Sequence, residues 1–154
     1  MKLNKKLKAY TLSEMIIVLI LTSIVVGLAF SVLGLVQKHM NAIQKNYTRN
    51  SELNILETAL WMDFNRYPIV TYYGLEDKLN FVSELDSINY KFTNKHIIRE
   101  QDTFNVTVQS KEFYFNGVPT EKQKIDAIKL EASEEFQNQF LFVFKSNDAN
   151  TFMN

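Results

Sequence analysis

Cysteine is absent from this 154-residue chain. No disulfide can staple it, and any folded part must be held by its apolar core or by partners. The missing thiols also exclude a Cys-His nucleophilic dyad. Histidine is nearly as scarce, with only His39 and His96, so the residues give no support to a histidine-rich zinc centre. Proline occurs at Pro68 and Pro119 alone, and nothing from Lys2 to Tyr67 is obliged to break a helix. The scarcity of Gly and Pro beside abundant Phe, Tyr, Ile, Asn and Lys reads as codon-composition bias. Internal repeats and low-complexity linkers are lacking as well.

Charge is missing from one stretch. No position from Met15 to Val36 carries one, and Ile, Leu, Val, Met, Phe and Ala dominate there. As a helix, at 1.5 Å per residue, that run is roughly 33 Å long, enough to cross a hydrocarbon core of about 30 Å. Lys2, Lys5, Lys6 and Lys8 precede it with no acid among them. By the positive-inside rule the N-terminus stays in the cytoplasm and the residues after Val36 lie across the membrane. Glu14 stands directly before the span. An ionisable side chain there is a functional candidate by default, the plainer alternative being solvation at the headgroup level.

The segment Lys8-Ala9-Tyr10-Thr11-Leu12-Ser13-Glu14-Met15-Ile16-Ile17-Val18-Leu19 resembles the N-terminal signature of type IV prepilin-like proteins. That signature is a basic leader, a small residue, an aromatic, Thr-Leu, any residue, Glu, and then the apolar helix. The family includes type IV pilins, the pseudopilins of type II secretion and the competence pseudopilins. Ala9 stands where the family usually has Gly, and Tyr10 where it usually has Phe; a small residue and a large ring are both kept. The resemblance implies cleavage by the prepilin peptidase between Ala9 and Tyr10 and N-methylation of Tyr10. It also implies an assembly role for Thr11, Leu12 and Glu14, whose carboxylate would compensate the new amine of Tyr10 in the low-dielectric filament core.

Other readings of this end explain less. A secretory signal cleaved near Ala29-Phe30-Ser31 leaves the Glu ahead of the apolar core and the continuation to Val36 without a reason. An uncleaved signal anchor accounts for the lysines and the span but not for Thr11 to Glu14.

Beyond the span, Ile43, Tyr47, Leu53, Leu56, Leu60 and Phe64 fall near one helical face, while Lys38, Lys45, Arg49, Glu52 and Glu57 fill the others. Pro68 predicts the helix end near Asn65 or Arg66. A helix from Thr11 to Asn65 would be on the order of 80 Å long. Gly27 and Gly34 each weaken it by about 1 kcal/mol relative to Ala. Their seven-residue spacing suits close helix packing, and local softness, which the resemblance implies for assembly, remains the alternative. Asp63 and Arg66 are spaced for an i, i+3 ion pair.

Downstream, Leu75, Leu79, Val82 and Leu85 predict a short amphipathic helix over residues 75–86, after a turn at Tyr72-Tyr73-Gly74. Thr103 to Gln109 alternates as a half-buried strand. Glu112 to Phe115 followed by Asn116-Gly117 predicts a strand entering a tight hairpin. Residues 89–93, 96–99, 127–131 and 139–145 complete about six strands. The expected fold is α+β, a long helix followed by an antiparallel sheet. It divides into a leader (1–9), a membrane or filament-core helix (10–36), an amphipathic half-helix (37–66) and a small sheet domain (67–154).

That plan is also the pilin-like architecture the resemblance implies. A finer resemblance, to the J class of minor pseudopilins, is carried by Leu56 to Arg66, with Asp63 inside it, then by Ile88-Asn89-Tyr90-Lys91-Phe92 and Ile97-Ile98-Arg99.

The globular part leaves no room for a second catalytic module, and no catalytic, cofactor or metal residues are assigned. His96 and Glu100 are read as a hairpin end. Glu131, Glu134 and Glu135 near Asp126 lack the glycine- and carbonyl-rich loop of a calcium site and are read as a solvated loop. The precursor balances 17 basic against 17 acidic residues; losing four leader lysines would leave 13 against 17, which disfavours nucleic-acid binding. The expectation is therefore a non-enzymatic minor pseudopilin in the cytoplasmic (inner) membrane, N-terminus inside. Its partners would be the prepilin peptidase, other major and minor pseudopilins, the inner-membrane assembly platform and membrane lipid. The alternatives are a competence or type IV pilus minor pilin and, from another class, a single-pass anchored binding domain.

Overall fold

The structure, a computed structural model, describes residues 11–121 and 123–145. Helix α1 runs over Leu12–Arg66 and ends where the sequence places its end, since Tyr67 precedes Pro68. Residues up to Gln44 form one unit and residues from Lys45 onward a second. In the first unit every described residue is exposed. The core-facing stripe of α1 begins only at Leu53 and continues through Leu56, Ala59, Leu60, Asp63 and Phe64. Ile43 and Tyr47, read as part of that stripe, are exposed. The apolar period persists past the point where the domain can use it.

In the second unit α1 packs against two antiparallel sheets, an α+β architecture. The first sheet is a meander of β1 (Ile69–Tyr73), β2 (Lys78–Val82), β3 (Ser87–Phe92), β4 (Ile97–Arg99) and β5 (Asp102–Phe104), in that order. The second has β6 (Val108–Phe115), β7 (Val118–Pro119), β8 (Ala127–Ala132) and β9 (Phe140–Phe144) in the order β7-β6-β8-β9. Leu56, Leu60 and Phe64 of α1 share one core with Leu79, Phe81, Tyr90, Ile97, Val106, Ile128, Leu130 and Val143. Residues before β8 tie the sheets together: Tyr72 N–H donates to Gln123 O at 2.7 Å and Ile125 N–H to Val70 O at 3.1 Å.

Two expected elements are corrected. The helix over 75–86 is a turn, strand β2 and a second turn. Leu79 and Phe81 alternate into the core, whereas Leu75 and Leu85, half of the apparent helical period, sit exposed at the turn tips. The turn-like Tyr72-Tyr73 belongs to β1. The alternation over 103–109 is real in burial, with Phe104 and Val106 in the core. It nevertheless spans the end of β5, a connection and the start of β6, so it is no single strand. Nine strands replace the expected six among the described residues. The Asn116-Gly117 hairpin stands: both residues have positive φ, 52° and 73°, the geometry of a primed two-residue turn. Asn116 N–H also donates to Asp126 Oδ2 at 2.7 Å.

Candidate functional site

The helix start is built around Thr11 and Glu14. Thr11 precedes the first helical residue, Leu12, and Glu14 occupies the third helical position. Thr11 N–H donates to Glu14 Oε2 at 2.9 Å, Thr11 Oγ1 donates to the same oxygen at 2.9 Å, and Glu14 N–H approaches Thr11 Oγ1 at 3.4 Å. This is a capping box, in which side chains reciprocally satisfy backbone donors that a helix start leaves open. The Thr-x-x-Glu spacing was legible in the sequence and went unread there as a cap. Leu12 is exposed. Ala9 and Tyr10 lie outside the described residues.

From Met15 to Val36 the helix presents apolar side chains on all sides, each exposed. Among the described residues one helix, α1, is long and apolar enough to cross a membrane. Its few hydroxyls are turned inward on their own backbone: Thr22 Oγ1 donates to Val18 O at 2.8 Å, Ser23 Oγ to Leu19 O at 2.7 Å, and Ser31 Oγ to Gly27 O at 3.0 Å. A span so arranged offers hydrocarbon no unsatisfied hydroxyl donor at these positions. A Cβ at Gly27 or Gly34 would meet nothing within 4 Å in the single chain. These glycines fill no intramolecular packing need.

Two carboxylates are buried among the described residues, Asp63 and Asp126, and Asp63 is the deeper. Asp63 Oδ2 accepts from Tyr90 OH at 2.6 Å and from Arg99 Nε at 2.8 Å, and Oδ1 accepts from Arg99 Nη2 at 3.0 Å. Asp63 is 2% exposed and Tyr90 fully buried. Burial, and then the bond to Asp63, raise the tyrosine's pKa; the Asp63 carboxylate raises that of Arg99. The cluster locks the helix end to β3 and β4. The expected Asp63–Arg66 pair is not formed, because the Asp63 carboxylate is turned into the core and taken by Tyr90 and Arg99. Arg66 meets Asp86 instead, at 3.1 Å. Asp86 also accepts from Ser83 Oγ at 2.6 Å and Tyr67 OH at 3.1 Å, and its pKa is lowered, mainly by the Ser83 hydroxyl. Asp63, Tyr90 and Arg99 are the residues within the three segments that carried the finer resemblance.

The polar side chains singled out in the sequence at His96, Glu100 and Glu131 lie apart among the described residues, in different turns and strands. His96 closes the β3–β4 turn, its carbonyl accepting from Thr93 Oγ1 at 2.6 Å, and Glu100 starts the β4–β5 turn with φ 51°. Glu131 accepts from Ser110 at 2.9 Å, while Glu134 and Glu135 lie in a short 3-10 turn. Among the described residues no group of three acidic or imidazole side chains is placed to hold a metal ion.

Such a chain belongs to the class of α+β domains carried on a candidate membrane helix. Comparison with protein-family models, with curated proteins and with solved structures finds no match.

Proposed function

We propose that this chain is a minor pseudopilin, anchored by α1 in the cytoplasmic membrane and assembled with other pseudopilins into a short secretion-type filament. The carrying observation is a charge-free run exposed on every side that opens on the Thr11–Glu14 box and belongs to the same helix whose far end carries the domain core. A soluble domain has no use for such a run. The Asp63–Tyr90–Arg99 cluster supports the J-like subclass, because the resemblance segments are joined through it.

In this reading the prepilin peptidase cuts before Tyr10. Glu14, its Oε2 bonded to Thr11 one residue further on, then neutralises a Tyr10 amine where an unpaired charge is strongly penalised. Glu14→Gln is the discriminating variant. Gln still completes a capping box but has no charge to offer. The variant should be inserted and cleaved yet lose co-purification with partner pseudopilins, or lose methylation. Wild-type co-purification, methylation and transport together would reduce Glu14 to a helix cap.

A further inference from the structure

Among the described residues the two sheets end in four edge strands, and three are blunted. β7 has two residues and ends in Pro119; β5 has three and begins with Asp102. β1 is covered by residues 123–125, which bond to it and form the Thr71–Lys124 bridge. Short strands, Pro, charge and a covering segment are the usual protections of an edge. Among the described residues β9, Phe-Leu-Phe-Val-Phe, has none of these. It carries no charge, Pro or bulge, and pairs only with β8 among the described residues.

Its open side can be read from the register. Ala132 N–H donates to Gln139 O, and Lys145 N–H to Asp126 O. In an antiparallel ladder bonded positions alternate, so residues 139, 141, 143 and 145 bond towards β8. The N–H and C=O groups of Phe140, Phe142 and Phe144 therefore point to the free edge. The same three rings stand on the outer face, 66%, 46% and 56% exposed, while Leu141 and Val143 are buried. Tyr114 of β6 supports Phe142 edge-on, with ring centroids 5.8 Å apart.

We infer that β9 is a self-pairing edge that docks antiparallel on β9 of a second copy of this chain, centred on Phe142. The strand reads almost the same in both directions. Twofold pairing sets Phe142 opposite Phe142, Phe140 opposite Phe144 and Leu141 opposite Val143. All outward backbone groups of the three phenylalanines are then bonded, and apolar residues face apolar residues on both surfaces. Flanking this, Gln139 meets Lys145, so no like charges oppose. No shift by two residues satisfies as many groups.

The area sets the strength. Taking roughly 200 Å² per Phe, these exposures offer on the order of 700 Å² over two copies, short of the about 1,200–2,000 Å² of stable interfaces. The dimer is weak in solution and depends on confinement.

The test uses the full chain in its native membrane, where the absence of cysteine leaves no background. Phe142→Cys should give a covalent dimer on mild oxidation, because facing bonded pairs lie about 5.5 Å apart at Cα. Phe140→Cys alone should give none, since its own copy lies about four residues, or 13 Å, away. The Phe140→Cys/Phe144→Cys double variant should cross-link. Adding Phe142→Pro to it should abolish the product: this N–H faces the edge, so the intramolecular ladder is kept. Cross-linking of Phe142→Cys to a different protein, or no dimer while near-UV circular dichroism of the purified variant shows a native domain, would overturn the inference. Neither outcome bears on processing at Tyr10, so the pseudopilin reading stands or falls separately.

Discussion

Replacing Asp63 by alanine leaves a fully buried tyrosine hydroxyl and a mostly buried guanidinium without their acceptor. Removing one partner from a buried ion pair costs about 3–5 kcal/mol, and an orphaned buried hydroxyl about 1–3 kcal/mol. The Arg99 side chain is 23% exposed and keeps Asp102 at 3.4 Å, so water and that carboxylate recover part of the loss. A net destabilisation of about 3 kcal/mol is expected, which at 4–8 °C per kcal/mol is a fall of about 15 °C in the midpoint of a domain of this size. Near-UV circular dichroism of the full chain in detergent reports on the domain, since it follows tertiary packing and not the detergent-held helix. The compensating triple variant Asp63→Leu/Tyr90→Phe/Arg99→Met should regain most of the loss, because it removes the buried polar groups together. An Asp63→Ala variant within about 0.5 kcal/mol of the parent would refute the assignment of this cluster as the lock between α1 and the sheet.

Alkali should destabilise the domain in a definite direction. Tyr90 and Tyr72 have raised pKa values from burial and carboxylate partners. Above about pH 10 the unfolded chain releases those protons and the folded chain keeps them. Stability is then fully present below pH 10 and falls above it, by about 1.4 kcal/mol per pH unit for Tyr90; Tyr90→Phe should make the slope shallower. Asp86 works at the other end: with its pKa lowered, its contribution is present above the ordinary carboxylate range and is lost as pH falls through its folded value, an acid response that Asp86→Asn should remove. Deleting residues up to Gln44 should leave a soluble, folded domain. Deleting up to Tyr67 removes Leu53, Leu56, Leu60 and Phe64 from the core, at about 2 kcal/mol each, and should leave an aggregating chain; equal solubility of the two would contradict the packing.

Local signals carried much of this fold. Pro68 set the helix end, Asn116-Gly117 set the hairpin, and the charge-free run marked the candidate span. Misreadings arose where two periods fit one segment. Leu75, Leu79, Val82 and Leu85 satisfy a helix, but Phe81 beside Leu79 satisfies a strand, and only the sheet decides. Asp63 shows the other limit. Its helical spacing to Arg66 is visible in sequence, whereas its partner Arg99 is set by the register of β4 against the helix, which no local pattern encodes. The bare edge at β9 was half visible: the alternation of three phenylalanines was there to read, but their exposure depends on which face of the sheet the core occupies. The Thr11–Glu14 cap lay in plain view in its spacing, behind the question of what a charge was doing beside a membrane span.

N-terminal mass spectrometry of the protein from its native membrane tests the central proposal most directly. The account predicts a mature chain beginning at Tyr10, N-methylated, with residues 1–9 gone, and retention of the leader when Ala9 is replaced by a bulky residue. An intact Met1 in a strain with an active prepilin peptidase would contradict it.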